Sequence, residues 1–381
     1  WIMEMIGKGP DIKGAVWVAL KLPDDCISAH SNHSRITTFP LNDRANCLYS
    51  KDVISFAREK GYFDGKNKDF SFSDAYDPMS FNARRFCDAR VWSIYKSVCK
   101  ETEKNIDYIL GKNDERLPLW VKPDQKVSLL QLKNLQRDHF ENSPLSMAND
   151  PGAEPFKAEF RYEPRIWEFD GKKYFNETPT AGPKNAFSFV AQMRSWLPNK
   201  IGGVLWFGVD DANFTVYIPI YCGTTEVPAC FRRGNGSLLK FSWDAAYWVF
   251  NWVSNMAYAK YQYLAPDIKN AQAEFEQKLE DNLQVVEEAA QSLYKKSPEY
   301  AMRFLTEYSQ NQANLMMQQW KALGEHLMVK YTDGNIKRER KGKFIDNGWG
   351  VPSDIQTPGY SEEYYKSIVD STGTRFLLIE E

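Results

Sequence analysis

Residues 14–39 read GAVWVALKLPDDCISAHSNHSRITTF. The first part, Gly14 to Leu22, alternates and is rich in valine and aromatic residues, the pattern of a strand with one covered face. Pro23-Asp24-Asp25 ends it at a turn. Cys26 to Phe39 reads as a second strand, which Pro40 stops. This second strand holds the densest polar cluster in an otherwise apolar strand, Ser28-Ala29-His30-Ser31-Asn32-His33-Ser34-Arg35. Alternation places His30, Asn32 and Ser34 on one face and His33 and Arg35 on the other. Two readings of that face stay open. One is an edge strand with a solvated side. The other is an asparagine turned into a cleft, where its N–H₂ would donate to a developing oxyanion.

Upstream, Trp1 to Gly7 (WIMEMIG) reads as the middle of a buried strand running into a turn, with no basic leader or signal-type segment ahead of it. The expectation is that a segment preceding Trp1 is missing from the chain. Downstream, Asp52 to Lys60 reads as a short helix, Asp69 to Phe81 as a polar and aromatic loop, and Ala83 to Lys100 as a helix. A connector (101–127) carries Pro118 and Pro123. A helix from Ser128 to Glu141 follows, with Ser128 as its cap. Ala186 to Trp196 is extended, with Arg194 near its end. Gly203–Val209 and Phe214–Tyr221 form a hairpin around Asp210-Asp211-Ala212-Asn213. Ser242 is expected to cap an aromatic helix that Pro266 closes.

Beyond Pro266 the character changes. Ile268, Ala271, Phe275, Leu279, Leu283, Val286, Ala290 and Leu293 step by threes and fours, an amphipathic helix that Pro298 breaks. A second helix places Ala301, Phe304, Tyr308, Gln312, Leu315, Trp320, Leu323 and Leu327 on one face. The pair predicts an antiparallel helical hairpin, a packing or oligomerisation arm through which the chain could form a homo-oligomer. The chain thus reads as three parts: a main domain (1–265), the helical hairpin (266–328) and a loop-rich tail (329–381) with a short helix near Glu362 to Val369.

Composition removes several classes. Forty-eight basic against 50 acidic residues leave a net charge of −2, so no global field points to nucleic acid. The basic run Lys337, Arg338, Arg340, Lys341, Lys343 is broken by Glu339 and Gly342 and reads as a solvated loop. No apolar stretch is long enough to span a membrane. The six cysteines show no CxxC spacing, which argues against a zinc site, and no metal or cofactor is expected. Compartment stays open between cytoplasmic and extracytoplasmic. No serine-hydrolase elbow, P-loop or dinucleotide fingerprint occurs; the GNG at 234–236 is a turn.

Several stretches in order resemble one family. They are WIMEMIG (1–7), GAVWVALKLPDDCISAHSNHSRI (14–36), CDARVWSIY (87–95), PLWVKPDQKVS (118–128), RDHFENSPLSM (137–147), FSFVAQMRSWLPNKIGGVLWFGVDDANFTVYIPIY (187–221), EVPACF (226–231), FSWDAAYWVFNWVSNMAYAKY (241–261) and VKYTDG (329–334). The set is similar to the N-terminal-nucleophile cysteine dipeptidases of the dipeptidase A type, relatives of penicillin V acylase and bile salt hydrolase. The resemblance implies an α+β fold, a four-layer αββα sandwich. It implies hydrolysis of dipeptides or short peptides by an N-terminal cysteine whose own α-amino group is the base, without a metal. Trp1 cannot be that nucleophile, so the nucleophile is expected on the missing segment and this chain alone is expected to be inactive.

Residue by residue, the resemblance assigns Asn32 to the oxyanion hole and Arg194 to the arginine near the nucleophile, where its charge would lower the thiol pKa. Arg194 could equally pair with Asp210 or Asp211. Those two aspartates are candidates for the substrate's α-ammonium, although each also sits at a turn that favours Asp for backbone reasons. The segment Asn176 to Lys184 departs from the family pattern. Two other functions stay open: a catalytically silent fragment or scaffold using the helical hairpin, and an acylase acting on a non-peptide amide.

Overall fold

The computed structural model describes residues 1–153 and 155–378. As expected, the chain is α+β: among the described residues, helices accompany five small antiparallel sheets. It divides into two compact units. Trp1–Gln131 and Arg165–Thr180 form the first, and Leu132–Pro164 with the residues from Ala181 onward form the second. No helix of the described residues is long and apolar enough to cross a membrane.

In the first unit, β1 (Ile2–Gly7), β2 (Ala15–Leu20) and β3 (Cys47–Tyr49) form an antiparallel sheet with β2 in the centre. Ile2 faces Leu20 and Gly7 faces Ala15. Val16 and Val18 of β2 are fully buried beneath the helix Val53–Glu59, which offers Val53, Phe56 and Ala57 at i, i+3 and i+4. Phe70 and Phe72 complete this core. Each such apolar side chain contributes about 1.5–3 kcal/mol when fully buried. The opposite side of β1 differs: Trp1, Met3 and Met5 are more than half exposed, while Glu4 between them is buried.

The strand expected over Cys26 to Phe39 does not form. Only two isolated bridges remain, Ile27 to Val121 and Thr38 to Ser71. The reason is local competition for backbone donors. Glu4 Oε1 accepts the N–H of Arg35 at 2.7 Å and of Ile36 at 3.0 Å, and Asp77 Oδ2 accepts that of Ser34 at 2.8 Å. Side-chain carboxylates thus replace the neighbouring strand as acceptors, and the period-2 alternation is lost. A hairpin that the sequence reading passed over lies at β4 (Ile166–Phe169) and β5 (Lys172–Phe175). Its turn, Asp170-Gly171, has φ of 50° and 68°, the doubly left-handed turn that suits a two-residue hairpin.

In the second unit, β6 (Phe187–Met193), β7 (Gly203–Val209) and β8 (Ile218–Tyr221) make an antiparallel sheet, so the hairpin around Asp210 forms as expected. Phe187, Phe189 and Met193 leave one side of β6 exposed. The helix expected from Ser128 to Glu141 stops at Gln136, and Phe140, with φ of 65°, could not have continued it. The aromatic helix runs over Ala246–Ala259, and the break after it falls at Lys260 rather than at Pro266. Pro266 sits in the second turn of the helix Tyr261–Lys296, where it forfeits only the bond to the Gln262 carbonyl while Leu264, Ala265 and Ile268 are buried around it.

Ser297 then caps the helix Pro298–Lys330, with Pro298 at its first position, and the helical hairpin is made. Its second arm buries a face that overlaps the expected one at Ala301, Trp320 and Leu327 but is turned from it, with Phe304, Tyr308, Gln312 and Leu323 only half-buried. Ala301, Leu305, Ser309, Ala313, Met316, Trp320, Gly324 and Leu327 turn inward, and Leu315 is exposed. Small residues decide the face. Ser309 donates to the Pro219 carbonyl of β8 at 2.8 Å, and any Cβ at Gly324 would strike the Trp252 ring.

Candidate active site

In the first unit β1, the segment 28–34 and Asp77 line a cavity of about 610 Å³, a volume suited to a small ligand. Glu4 and Asp77 shape its polar wall, and Arg35 ties the adjoining segment to its neighbours. Glu4, from the otherwise apolar β1, bonds His30 Nε2 at 2.7 Å in addition to the two backbone N–H groups it holds. Asp77 pairs with His33 Nδ1 at 2.9 Å, and that ring is 2% exposed. Arg35, which alternation put on one face with His33, is a clamp. Its guanidinium reaches the carbonyls of Ala29 at 2.6 Å and Pro118 at 2.6 Å, and lies 5.5 Å from the Tyr95 ring centre.

Asn32 is exposed in this wall, as is His30. Its Oδ1 accepts from Arg90 Nη2 at 3.0 Å, and Arg90 is itself anchored through Nε to the Phe86 carbonyl at 3.0 Å. A guanidinium has no acceptor atom, so it fixes which end of the amide faces it. The Nδ2 end is left over, with no protein acceptor among the described residues. Burial depresses the Arg90 pKa, which still lies far above neutrality for a guanidinium. Arg90 lies in the first turn of the helix Ala89–Val98, which follows directly on a π-helical turn over Ala83–Asp88.

Arg194, Asp210 and Asp211 belong to the second unit. Arg194 does not pair with either aspartate. Its Nη1 meets Glu287 Oε2 at 2.6 Å, and Nε donates to the Gly202 carbonyl at 3.2 Å, all in a buried setting. Asp210 accepts from Asn251 Nδ2 at 2.8 Å and from Ser254 Oγ at 2.7 Å. Asp211 accepts from Tyr258 at 2.6 Å and from the Asn213 N–H at 3.0 Å. Both carboxyls have raised pKa values because burial penalises the anion, and Asp210 is pushed up to about 6. Asp210 carries φ of 66°, the left-handed conformation that Asp tolerates at a turn.

Glu4, Asp77 and Arg90 escaped the sequence reading as site residues. Glu4 alone carried a signal, a charged residue inside an apolar strand. Residues 1–274 match the family model of peptidase family C69. A protein described as a probable dipeptidase from Salmonella dublin is 26% identical over 210 residues, 55% of this chain and 43% of that protein. Dipeptidase A of Lactobacillus helveticus is 20% identical over 249 residues, 65% of this chain and 45% of that protein. Probable dipeptidase B of Streptococcus pyogenes serotype M1 is 23% identical over 263 residues, 68% of this chain and 47% of that protein. The chain spans about half the length of the curated relatives it matches.

Proposed function

Because the chain belongs to peptidase family C69, we propose that the whole protein hydrolyses dipeptides through a cysteine thiolate, with Asn32 donating to the oxyanion. The nucleophile is an N-terminal cysteine outside these 381 residues. Its thiolate attacks the peptide carbonyl carbon, and the C=O pair moves onto oxygen, where the Asn32 N–H meets it. The cysteine's α-amino group takes the thiol proton and returns it to the leaving amine. Water then cleaves the thioester, releasing the acid and the free thiol. The observation that carries this reading is the Asn32 amide itself: exposed on a cavity wall, with its oxygen held by Arg90 and its N–H₂ end unclaimed.

Arg194, Asp210 and Asp211 remain candidates for charge stabilisation and for the substrate's ammonium. Each would have to exchange a bond held now: Arg194 its pair with Glu287, Asp210 those with Asn251 and Ser254, Asp211 that with Tyr258. In this reading the whole protein is an αββα sandwich, a fold built of sheets such as the three-stranded one in each unit. Its support is that each such sheet has an apolar face left open, at Met3 and Met5 and at Phe187 and Phe189, of the kind a second sheet covers. The experiment is turnover of the complete protein on dipeptides, beside bile-salt and penicillin amides, for wild type and Asn32→Ala. Preferential dipeptide cleavage that collapses in the variant supports the reading. Near-wild-type turnover removes Asn32 from the mechanism, and preference for another amide changes the substrate class.

A further inference from the structure

The second unit holds a cluster of ionisable side chains that the proposed reaction does not use. His139, Glu141 and Glu159 each turn one potential ligand atom toward a common point, all within 4.8 Å of one another. His139 Nδ1 stands 3.6 Å from Glu159 Oε2 and 4.0 Å from Glu141 Oε1. Both distances exceed a hydrogen bond. The imidazole is fully buried, and its Nδ1 has no hydrogen-bond partner. The two carboxylates are 31% and 23% exposed, so the cluster is reached from their side.

The surroundings hold these three groups in place. Tyr258 Oη lies 3.4 Å from His139 Nε2 and donates to Asp211 Oδ2 at 2.6 Å. Tyr261 donates to Glu159 Oε2 at 2.7 Å. Glu141 Oε2 accepts the His139 backbone N–H at 2.7 Å, which leaves Oε1 for the common point.

We propose that His139 Nδ1, Glu141 Oε1 and Glu159 Oε2 form a divalent-cation site of the manganese or zinc kind, with its remaining positions open to water. One imidazole and two carboxylates are a donor set for such ions, and the two anionic charges neutralise the cation. Metal–ligand bonds of about 2.0–2.2 Å place neighbouring tetrahedral ligands about 3.4 Å apart. The observed 3.6 and 4.0 Å from His139, and separations of up to 4.8 Å within the cluster, reach that spacing by rotation of two partly exposed carboxylates. Tyr258 and Tyr261 supply the outer hydrogen bonds that orient an imidazole and a carboxylate ligand.

The rival occupant is a proton on Nδ1, which would make the cluster a buried ion pair. Titration calorimetry of the chelator-treated chain with Mn²⁺ alone separates the two, because manganese favours oxygen and nitrogen donors over the thiols of the six free cysteines. One equivalent of Mn²⁺ is expected to bind and to raise the melting temperature. Glu141→Gln keeps an acceptor for the His139 N–H, so it should fold and bind at least about tenfold more weakly; Glu159→Gln should do the same. No binding by the folded wild-type chain overturns the site, as does undiminished binding in both variants.

Discussion

The segment 28–36 of the first unit and the corner Asp210–Asn213 of the second are both short polar runs in apolar surroundings, and they end in opposite states. At the corner the carboxylates are the served groups. Asn251, Ser254, Tyr258 and a backbone N–H converge on them, and Asp210 and Asp211 are 1% and 0% exposed. In the segment the carboxylates arrive from elsewhere, Glu4 and Asp77, and spend themselves on backbone N–H groups and histidines. That arrangement leaves a neutral donor, Asn32, over at a cavity. Charge used to build a wall leaves an amide unclaimed there, whereas at the corner the carboxylates hold the donors around them.

The sharpest way to break this contrast is Asn32→Ala. In the complete protein it should lower turnover by roughly 10²–10³-fold, the usual effect of losing one oxyanion donor. Thermal stability should hardly move, because an exposed side chain away from caps and cores changes stability by only about 0.5 kcal/mol. A large loss of melting temperature would make the segment structural, like the corner.

The corner should show the reverse weighting, with the larger effect on stability. Asp210 has a folded pKa of about 6 against an ordinary 3.8. The folded state therefore binds the extra proton. The contribution is fully present below pH 3.8 and is lost as pH rises through about 6. Its size is at most roughly 3 kcal/mol. Asp210→Asn tolerates the left-handed backbone and should flatten that window, read by denaturant unfolding across pH. An unchanged slope would show the carboxyl is ionised in the fold without penalty. Asp211→Ala should be destabilising by about 2 kcal/mol, since the Tyr258 hydroxyl and the Asn213 N–H lose their acceptor. An unfolding midpoint equal to wild type would mean that water serves both donors.

Local pattern made much of the fold legible. The strand over Gly14–Leu22, the hairpin around Asp210, the paired long helices and the helix starting at Glu362 all follow from alternation, turn residues and a 3.6 period. Failures came where partners distant in the chain decide. Nothing within residues 26–39 reveals that Glu4 and Asp77 will take its backbone donors. The buried face of the second long helix follows Ser309 and Gly324 because β8 and Trp252 demand small residues, a demand hydrophobicity does not encode. The hairpin 166–175 was the avoidable miss, since Asp170-Gly171 is a strong local turn signal. In the site, Asn32 stood out as an amide in a polar run, but its orientation depends on Arg90, 58 residues away.

That dependence gives the smallest effect and the finest test of the contrast. Arg90 is expected to act through Asn32 as a positioning residue. If Arg90→Met releases the amide, rotation about its last bond exposes either end to the cavity. A molecule presenting oxygen to a developing anion is unproductive, so equal populations alone lower turnover about twofold, and looser placement extends this to roughly tenfold. The loss should fall on kcat, because the amide is proposed to act on the transition state rather than on substrate binding. The double variant decides the matter. With Asn32→Ala in place there is no amide left to orient, so adding Arg90→Met should change kcat no further. An independent, multiplicative loss would give Arg90 a separate role, since a merely structural residue weakens both backgrounds alike.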